Sequence, residues 1–467
     1  VDVKKRLAAI VILAALVFSG CSDMLLKEPK ELMKPPRLSR GQEKIRKFIS
    51  NTIPEECVLS APLEMKKLAA INFVDINADG TDEIIAFYKY REHPRYGMLV
   101  IGQDGGKLKK MTDIEAPGEG IDYVSFIDMD YDGLSEIQIG WEAHANEKDY
   151  RELYIYRFNN ARLEKVFSSE YDELAIDNLD SDRSFEIVLL NLQGQYGEDG
   201  VYAQLFKYRD QSVEKTDELQ LEPYEYITDF YSVKSGRLSE GKKGVFIDFR
   251  YSSESFATEV LIVENSMLER VFKRQTYREY AQFDEIYEET YKVYEIDSSD
   301  VDGDGVVEIG KPIRPLGYED APKLSIPWIW GWYKWDGDGG LRLSRESFLN
   351  SSEGYELLFP ERWNDNMTVT RSGFGEKPGW ITISYIEKNA QKVIPIYTIF
   401  TINSELEYNK NQYKDLNRFM GIKGKDGARY ILRSDYKDNE ITELADDEYR
   451  NMIMTRDEIF DNFKILR

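Results

Sequence analysis

Cysteine and histidine are close to absent, with two of each in 467 residues. Two thiols give no disulfide framework. No zincin helix, phosphate loop, nucleophile elbow or Ser/His/Asp constellation appears, and His93 and His144, which carry no local ligand motif, read as solvated loop residues. Long apolar runs are missing too: Leu7 to Phe18 is a run of twelve, short of the about 20 residues of a bilayer span. Positive charge is scarce, with 61 Lys and Arg against 85 Asp and Glu, a net charge of −24 and a pI near 4.7. Such a surface repels phosphate backbones, which excludes nucleic acid as a partner.

What is present describes a chain that buries sizeable cores. The length predicts two or three domains, and 42% hydrophobic content with 31 Tyr and 22 Phe favours strands. Lys4, Lys5 and Arg6 precede the apolar run, and Ser19, Gly20 and Cys21 follow it. This resembles the lipobox of bacterial lipoproteins, with Phe18 where Leu is usual. It implies a signal peptide over 1–20, lipid on Cys21 and an extracytoplasmic, membrane-anchored protein; plain secretory cleavage is the alternative. Residues 21–40, with Pro29, Pro35 and Pro36, read as a tether. Gly41 to Asn51 reads as a short helix packing Ile45, Phe48 and Ile49, and Cys57 is left without an intrachain partner.

The dominant pattern is a nine-residue acidic loop. Its clearest copy is Asp300, Asp302, Asp304, Gly305 and Glu308, followed by Ile309. Carboxylates at alternate positions, with a Gly to turn the backbone sharply, converge their oxygens as a calcium loop does. The register recurs as Asp75, Asn77, Asp79, Gly80, Glu83, Ile84 and as Asp128, Asp130, Asp132, Gly133, Glu136, Ile137. A weaker copy reads Asn178, Asp180, Asp182, Arg183, Glu186, Ile187. The plainer alternative is that Asp, Asn and Gly simply make turns.

Around the loops the chain repeats at about 50 residues. One strand enters each loop and a second leaves it, as in Ala70 to Val74 and Glu83 to Tyr88, or Tyr123 to Ile127 and Glu136 to Trp141. A third strand and a hairpin follow, with turns such as Asp104, Gly105, Gly106 or Asn159, Asn160. A degenerate unit has a strand over Tyr226 to Val233, a polar turn over Lys234 to Gly244 and a strand over Val245 to Tyr251. Four short antiparallel strands per unit, in five units, predict a mainly β fold: a β-propeller over 41–349. Gly41 to Pro62 or part of the C-terminal region would supply a closing strand, giving five to seven four-stranded blades.

These loops resemble those of the FG-GAP and VCBS-type repeats, the integrin-like β-propellers, over roughly 290 residues of the chain. The resemblance implies Ca2+ held by Asp75, Asn77, Asp79 and Glu83; by Asp128, Asp130, Asp132 and Glu136; and by Asp300, Asp302, Asp304 and Glu308. Carbonyls of Thr81, Leu134 and Val306 would join them, with Glu replacing the family's last Asp. The fourth loop departs at Arg183, where the others have Gly; its candidate ligands are Asn178, Asp180, Asp182 and Glu186. An EF-hand is disfavoured because its twelfth position is Ala86, Ile139 and Lys311 here, and because the flanks alternate with period two.

Trp328, Trp330 and Trp332 share one side of a strand and form either packing core or a platform for a ligand. Residues 350–467 break the repeat and read as a small α+β domain. Strands are expected at Tyr355 to Trp363, Trp380 to Ile386, Ile394 to Phe400 and Arg429 to Leu432. One helix is expected from Ser404 and Glu407 through Tyr413, Leu416, Phe419 and Met420, stopped by Gly421. A last helix starts near Thr455 and Glu458 and buries Ile459, Phe460, Phe463 and Leu466. The functional expectation is a non-catalytic, calcium-binding surface lipoprotein that presents its propeller to an envelope protein or glycan. The alternatives are a wall-polysaccharide enzyme using a carboxylate pair and an envelope assembly or signalling accessory.

Overall fold

The computed structural model describes residues 40–62, 68–118, 120–145, 148–159, 162–192, 200–209, 211–222, 227–272, 287, 289–372, 380–387, 392–402, 419–424, 428–434 and 451–466. The expected signal peptide, Cys21, most of the tether, and the proposed helical residues Ser404, Glu407, Tyr413 and Leu416 lie outside them. So does the side chain of His144; His93 sits in an exposed turn.

Helix α1 (Arg40–Ser50) packs Ile49, with Ile45 and Phe48, against Tyr88, Leu99 and Ile101 of the first sheet. That sheet holds β1 (Cys57–Leu59), β2 (Ile71–Val74), β3 (Glu83–Tyr90), β4 (Arg95–Asp104) and β5 (Lys107–Pro117). Both β1 and β2 pair with β3, so the strand found within Gly41 to Pro62 widens its own neighbouring sheet. The second sheet is β6 (Gly120–Ile127), β7 (Glu136–Ala145), β8 (Lys148–Asn159) and β9 (Arg162–Tyr171). The third is β10 (Glu173–Asp177), β11 (Glu186–Asn191), β12 (Val201–Arg209) and β13 (Ser212–Glu222). The fourth is β14 (Asp229–Ser239), β15 (Lys242–Ser252), β16 (Ser255–Glu264) and β17 (Met267–Arg270). The fifth is β18 (Ile309–Ile313), β19 (Ile329–Trp335), β20 (Leu341–Asn350) and β21 (Tyr355–Leu358).

All five are antiparallel, and their strands pair in chain order except that β1 and β2 both pair with β3. Successive sheets touch: β5 meets β9, β9 meets β11 and β13, β10 meets β14, β13 meets β17, and β14 meets β19. The middle strands are buried on both faces: in the first sheet α1 covers one face of β3 and the second sheet covers the other. Ile84 to Tyr88 and Val245 to Ile247 are fully enclosed. Near-continuous apolar runs such as EIIAFY and EIVLL fit a strand covered on both sides. The degenerate fourth unit corrects the sequence reading: Lys234 to Ser239 continues β14, and only Glu240 and Gly241 turn, with Gly241 at φ 73°.

A sixth sheet follows, of β22 (Met367–Ser372), β23 (Trp380–Glu387), β24 (Lys392–Ile402), β25 (Phe419–Lys423) and β26 (Arg429–Ser434). Phe419 and Met420 therefore lie on a strand and not on a helix; β25 pairs with β26 from Phe419 opposite Arg433 to Lys423 opposite Arg429. Helix α2 (Arg456–Asn462) begins as expected, with a capping box in which Glu458 N–H donates to Thr455 Oγ1 and Thr455 N–H to Glu458 Oε2. It ends sooner than expected. Phe463 stacks on Tyr355 with ring centroids 5.2 Å apart and starts β27 (Phe463–Ile465), which pairs with β21. Ile459 is buried, whereas Phe460 and Leu466 stay exposed.

The fifth sheet thus straddles the expected boundary at 349/350. One continuous core joins Ile329, Phe348 and Leu357 of that sheet to Trp363, Val369 and Ile399 beyond it. Trp330 and Trp332 are buried with Ile296, Val301 and Leu358, while Trp328 is half-buried under Arg314. Trp328, Trp330 and Trp332 are therefore packing residues, and the stripe offers no open platform.

Candidate metal centre

The Asp75, Asp128 and Asn178 loops join β2 to β3, β6 to β7 and β10 to β11, the Asp300 loop leads into β18 from a segment bridged only between Ser299 and Glu308, and a common set of backbone bonds holds all four. The closing glutamate stands at the start of the strand that leaves the loop and turns one oxygen back to the amide of the loop's second residue. Ile76 N–H donates to Glu83 Oε2 at 3.2 Å, Met129 to Glu136 at 2.9 Å, Leu179 to Glu186 at 2.7 Å, and Val301 to Glu308 at 3.0 Å. The first Asp bonds the amide of the loop glycine: Asp75 with Gly80, Asp128 with Gly133 and Asp300 with Gly305, each at 2.9 Å. The fifth residue bonds the seventh: Asp79 accepts from Thr81, Asp132 from Leu134, Asp182 from Ser184 and Asp304 from Val306. Gly80, Gly133 and Gly305 sit at φ 82°, 94° and 84°, a region costly for any residue with a Cβ. Arg183 does not take this conformation, and that loop is tied instead by Asn178 Nδ2 to Asp182 O at 2.6 Å.

The loops link to neighbouring sheets as well. Phe185 N–H donates to Met129 O at 2.9 Å, and Tyr131 at the tip of the Asp128 loop packs on Phe185. Val307 N–H donates to Arg237 O at 2.9 Å, and Arg237 bonds Asp304 O.

The four loops differ in what faces the closing glutamate. β11 and β12 pair Glu186 with Lys207. One residue beyond the pairs Ile137–Tyr156, Ile309–Tyr333 and Ile84–Ile101, the same register brings Arg157 to Glu136, Lys334 to Glu308 and Gly102 to Glu83. Lys207 Nζ lies 2.5 Å from Asp180, 2.7 Å from Asp182 and 2.8 Å from Glu186, with only 1% of its side chain exposed. Lys334 Nζ lies 3.1 Å from Asp302, 2.6 Å from Asp304 and 3.0 Å from Glu308. Arg157 reaches the rim of its loop, with Nη2 2.6 Å from Asp132 and Nε 3.7 Å from Glu136. In the Asp75 loop a neutral group serves: Asn77 Nδ2 donates to Glu83 Oε1 at 3.0 Å. Among the described residues no Lys or Arg pairs with Asp75, Asp79 or Glu83.

Burial is the largest influence on each closing glutamate, pushing Glu136 up to about 7 and Glu308 up to about 6 and raising Glu83 and Glu186 as well. Burial alone would lower the Lys207 ammonium, but its bonds to Asp180, Asp182 and Glu186 outweigh that and hold it above its ordinary value. Lys334 is raised in the same way.

Three acidic groups converge closely enough to hold a cation: Asp128, Asp130 and Glu136; Asp180, Asp182 and Glu186; Asp300, Asp302 and Asp304, with ligand atoms within 4.8 Å of one another in each; Asp75, Asp79 and Glu83 are not brought so close, and Asn77 takes the third place in that loop. Asp128, Asp130 and Glu136 fit a divalent ion, since Asp130 Oδ1 is buried, accepts no hydrogen bond and pairs with no Lys or Arg among the described residues, whereas Glu186 Oε1 and Glu308 Oε1, also without an aligned hydrogen bond, have a lysine Nζ at 2.8 and 3.0 Å respectively. The Asp180 and Asp302 groups fit poorly. A calcium ion bound to the same oxygens would sit within about 3 Å of an ammonium, a repulsion on the order of 10 kcal/mol even at an effective dielectric of about 20. The amides of Thr81, Leu134 and Val306, whose carbonyls are the expected ligands, each bond the fifth carboxylate of their own loop.

The basic residues have a sequence signal of their own. Arg157, Lys207 and Lys334 each stand between two aromatic residues, in Tyr156-Arg157-Phe158, Phe206-Lys207-Tyr208 and Tyr333-Lys334-Trp335. The first and fourth sheets have Ile101-Gly102-Gln103 and Leu261-Ile262-Val263 there. A cleft of about 480 Å³ beside the Asn178 loop is lined by Asp180, Asp182, Lys242, Lys243 and Glu264. Its carboxylates are already engaged: Glu264 pairs with Lys242 at 2.6 Å, and Asp180 and Asp182 with Lys207.

No protein-family model matches the chain, and no curated protein matches it. Among solved structures, the exotype rhamnogalacturonan lyase YesX aligns at 11% identity and a TM-score of 0.30, covering 82% of this chain and 86% of that one. Rhamnogalacturonan lyase YesW aligns at 10% identity and a TM-score of 0.27, covering 72% and 74%. Likeness of this size carries no argument about architecture or chemistry.

Proposed function

We propose that the chain is a lipid-anchored, extracytoplasmic β-propeller of the FG-GAP/VCBS type, a non-catalytic module that binds an envelope protein or glycan. Its first five sheets are the blades, the sixth sheet extends the array, and Ca2+ is a structural ion in the Asp75 and Asp128 loops. The observation that carries this reading is the repeated clamp. Four closing glutamates at equivalent places each bond the second amide of their own loop. Carboxylates used in this way hold two strands together and are not poised as an acid and a base. Contact between successive sheets supports the ring, and the buried, unpartnered Asp130 Oδ1 supports the ion.

The test is retention without turnover. The chain lacking 1–21, offered envelope fractions and a panel of wall polysaccharides, is expected to hold a protein or glycan and to release no product. Sustained product formation would overturn the non-catalytic reading. Calcium at one hundred times its dissociation constant should add about 2.7 kcal/mol per site, so a melting temperature unmoved between calcium and EGTA would remove the ion from the proposal.

A further inference from the structure

The resemblance that suggests calcium treats the four loops alike, but their surroundings do not. We infer that the Asn178 and Asp300 loops carry their own covalently attached cation, the ammonium groups of Lys207 and Lys334, and take no divalent ion. The residue facing the closing glutamate on the third strand would then decide which loops depend on metal.

Lys207 reaches all three members of its converging set, Asp180, Asp182 and Glu186, and Lys334 reaches Asp302 and Asp304 of its set together with Glu308. Lys207 is enclosed, as is Glu186 beside it, so the ammonium is part of the core and not a surface side chain laid over an empty loop. Lys207 donates to Asp180, and Lys334 to Asp302 and Asp304, with the remaining carboxylates at ion-pair distance, so the three donors of each ammonium face three carboxylates. Its single charge and fixed stem make it a permanent, low-charge substitute for a diffusible ion. Arg157 reaches only the outer carboxylate of its loop at hydrogen-bond distance and leaves Asp130 Oδ1 unpartnered. Gly102 offers nothing: a Cβ placed there would lie 3.9 Å from Glu83 Oε1.

The chain therefore divides into two kinds of sheet. The third and fifth are closed at all calcium concentrations, while the first and second respond to it. That division rests on the proposed ion in the Asp75 and Asp128 loops; the lysine assignment stands apart from it.

Two measurements on the full chain separate these claims. Hydrogen exchange in calcium and in EGTA is expected to change at 71–90 and 120–145 and to stay constant at 173–191 and 299–313. A calcium-dependent change in either of the latter segments would overturn the inference. In the second measurement, Lys334→Met and Lys207→Met are titrated with Tb3+ and Ca2+. Each is expected to take up about one equivalent more than the parent chain, because an emptied oxygen cluster of this kind suits a hard cation. Each should also melt lower in EGTA and recover in calcium. Lys334→Gln and Lys207→Gln, which keep a hydrogen-bond donor on a neutral side chain one atom shorter, serve if the Met variants do not fold. Variants that gain no equivalent and no calcium rescue would overturn the inference. If wild type shows no response to calcium anywhere but the lysine variants gain one, the calcium reading fails and the lysine assignment survives.

Discussion

The Asp75 and Asp300 loops have nearly the same sequence and opposite electrostatics. Both place a carboxylate on the glycine amide, both close with a buried glutamate, and both hold a glycine near φ 80°. Yet one faces Gly102 and the other Lys334. The acidic motif fixes the path of the backbone through local hydrogen bonds, and a residue 19 or 26 positions after the closing glutamate, on another strand, fixes how the charge is neutralised. A loop motif read by itself therefore predicts geometry better than it predicts the ion.

The largest expected effect comes from breaking the enclosed example. Lys207→Met leaves Glu186 and Asp180 desolvated without a counter-charge, and removing one partner of a buried ion pair costs about 3–5 kcal/mol. Urea unfolding in EGTA should show that loss as a lower midpoint with an unchanged slope. A loss below about 1 kcal/mol would mean that water already screens the cluster, and the contrast with the Asp75 loop would vanish.

Arg157 tests the intermediate case. It donates one short charge-assisted bond to Asp132 and only borders Glu136, so Arg157→Met should cost about 1.5–3 kcal/mol, less than Lys207→Met under the same conditions. The comparison is sharpened if calcium offsets part of this loss, since Asp128, Asp130 and Glu136 then have a ligand to share. It breaks if the arginine proves the costlier of the two.

Much of the architecture was legible because it is local. Glycines at the turns and an acidic run followed by Glu-Ile marked where each sheet begins, and apolar runs marked the second strands. What stayed hidden depends on pairing. The roles of Arg157, Lys207 and Lys334 require the register of the third strand against the second, although an aromatic residue on either side of each basic one was visible throughout. Phe419 and Met420 carry helix-compatible spacing but are held as a strand by β26. In the same way Phe463 leaves the helical pattern because Tyr355 and Tyr430 enclose its ring. Lys234 to Ser239 looks like a turn because it is polar, yet β15 pairs with it from Lys234 to Ser239 with a bulge at Leu238. The Trp stripe was equally ambiguous until the neighbouring segment around Ile296 was placed over it.

The smallest effect belongs to an ion pair left in water, which serves as the control for the enclosed ones. Arg362 grips Glu458 through two nitrogens at 2.6 and 3.1 Å, with about a third of each side chain exposed. Those bonds hold the Glu458 carboxyl well below its ordinary range, at about 2. A depressed carboxyl stabilises the fold while it is ionised in both states, so the contribution is complete above the ordinary glutamate value and is lost as the pH falls towards 2. Solvent screening limits its size to about 0.2–1 kcal/mol. The stability difference between wild type and Arg362→Gln should therefore be flat from pH 7 to 5 and shrink between about 4.5 and 2. Arg362 also donates to the carbonyls of Asn451 and Ile453, so a constant remainder should persist at the acid end. If this exposed pair costs as much to break as Lys207, burial is not what gives the loop lysines their weight, and proximity of opposite charges alone would have to account for both.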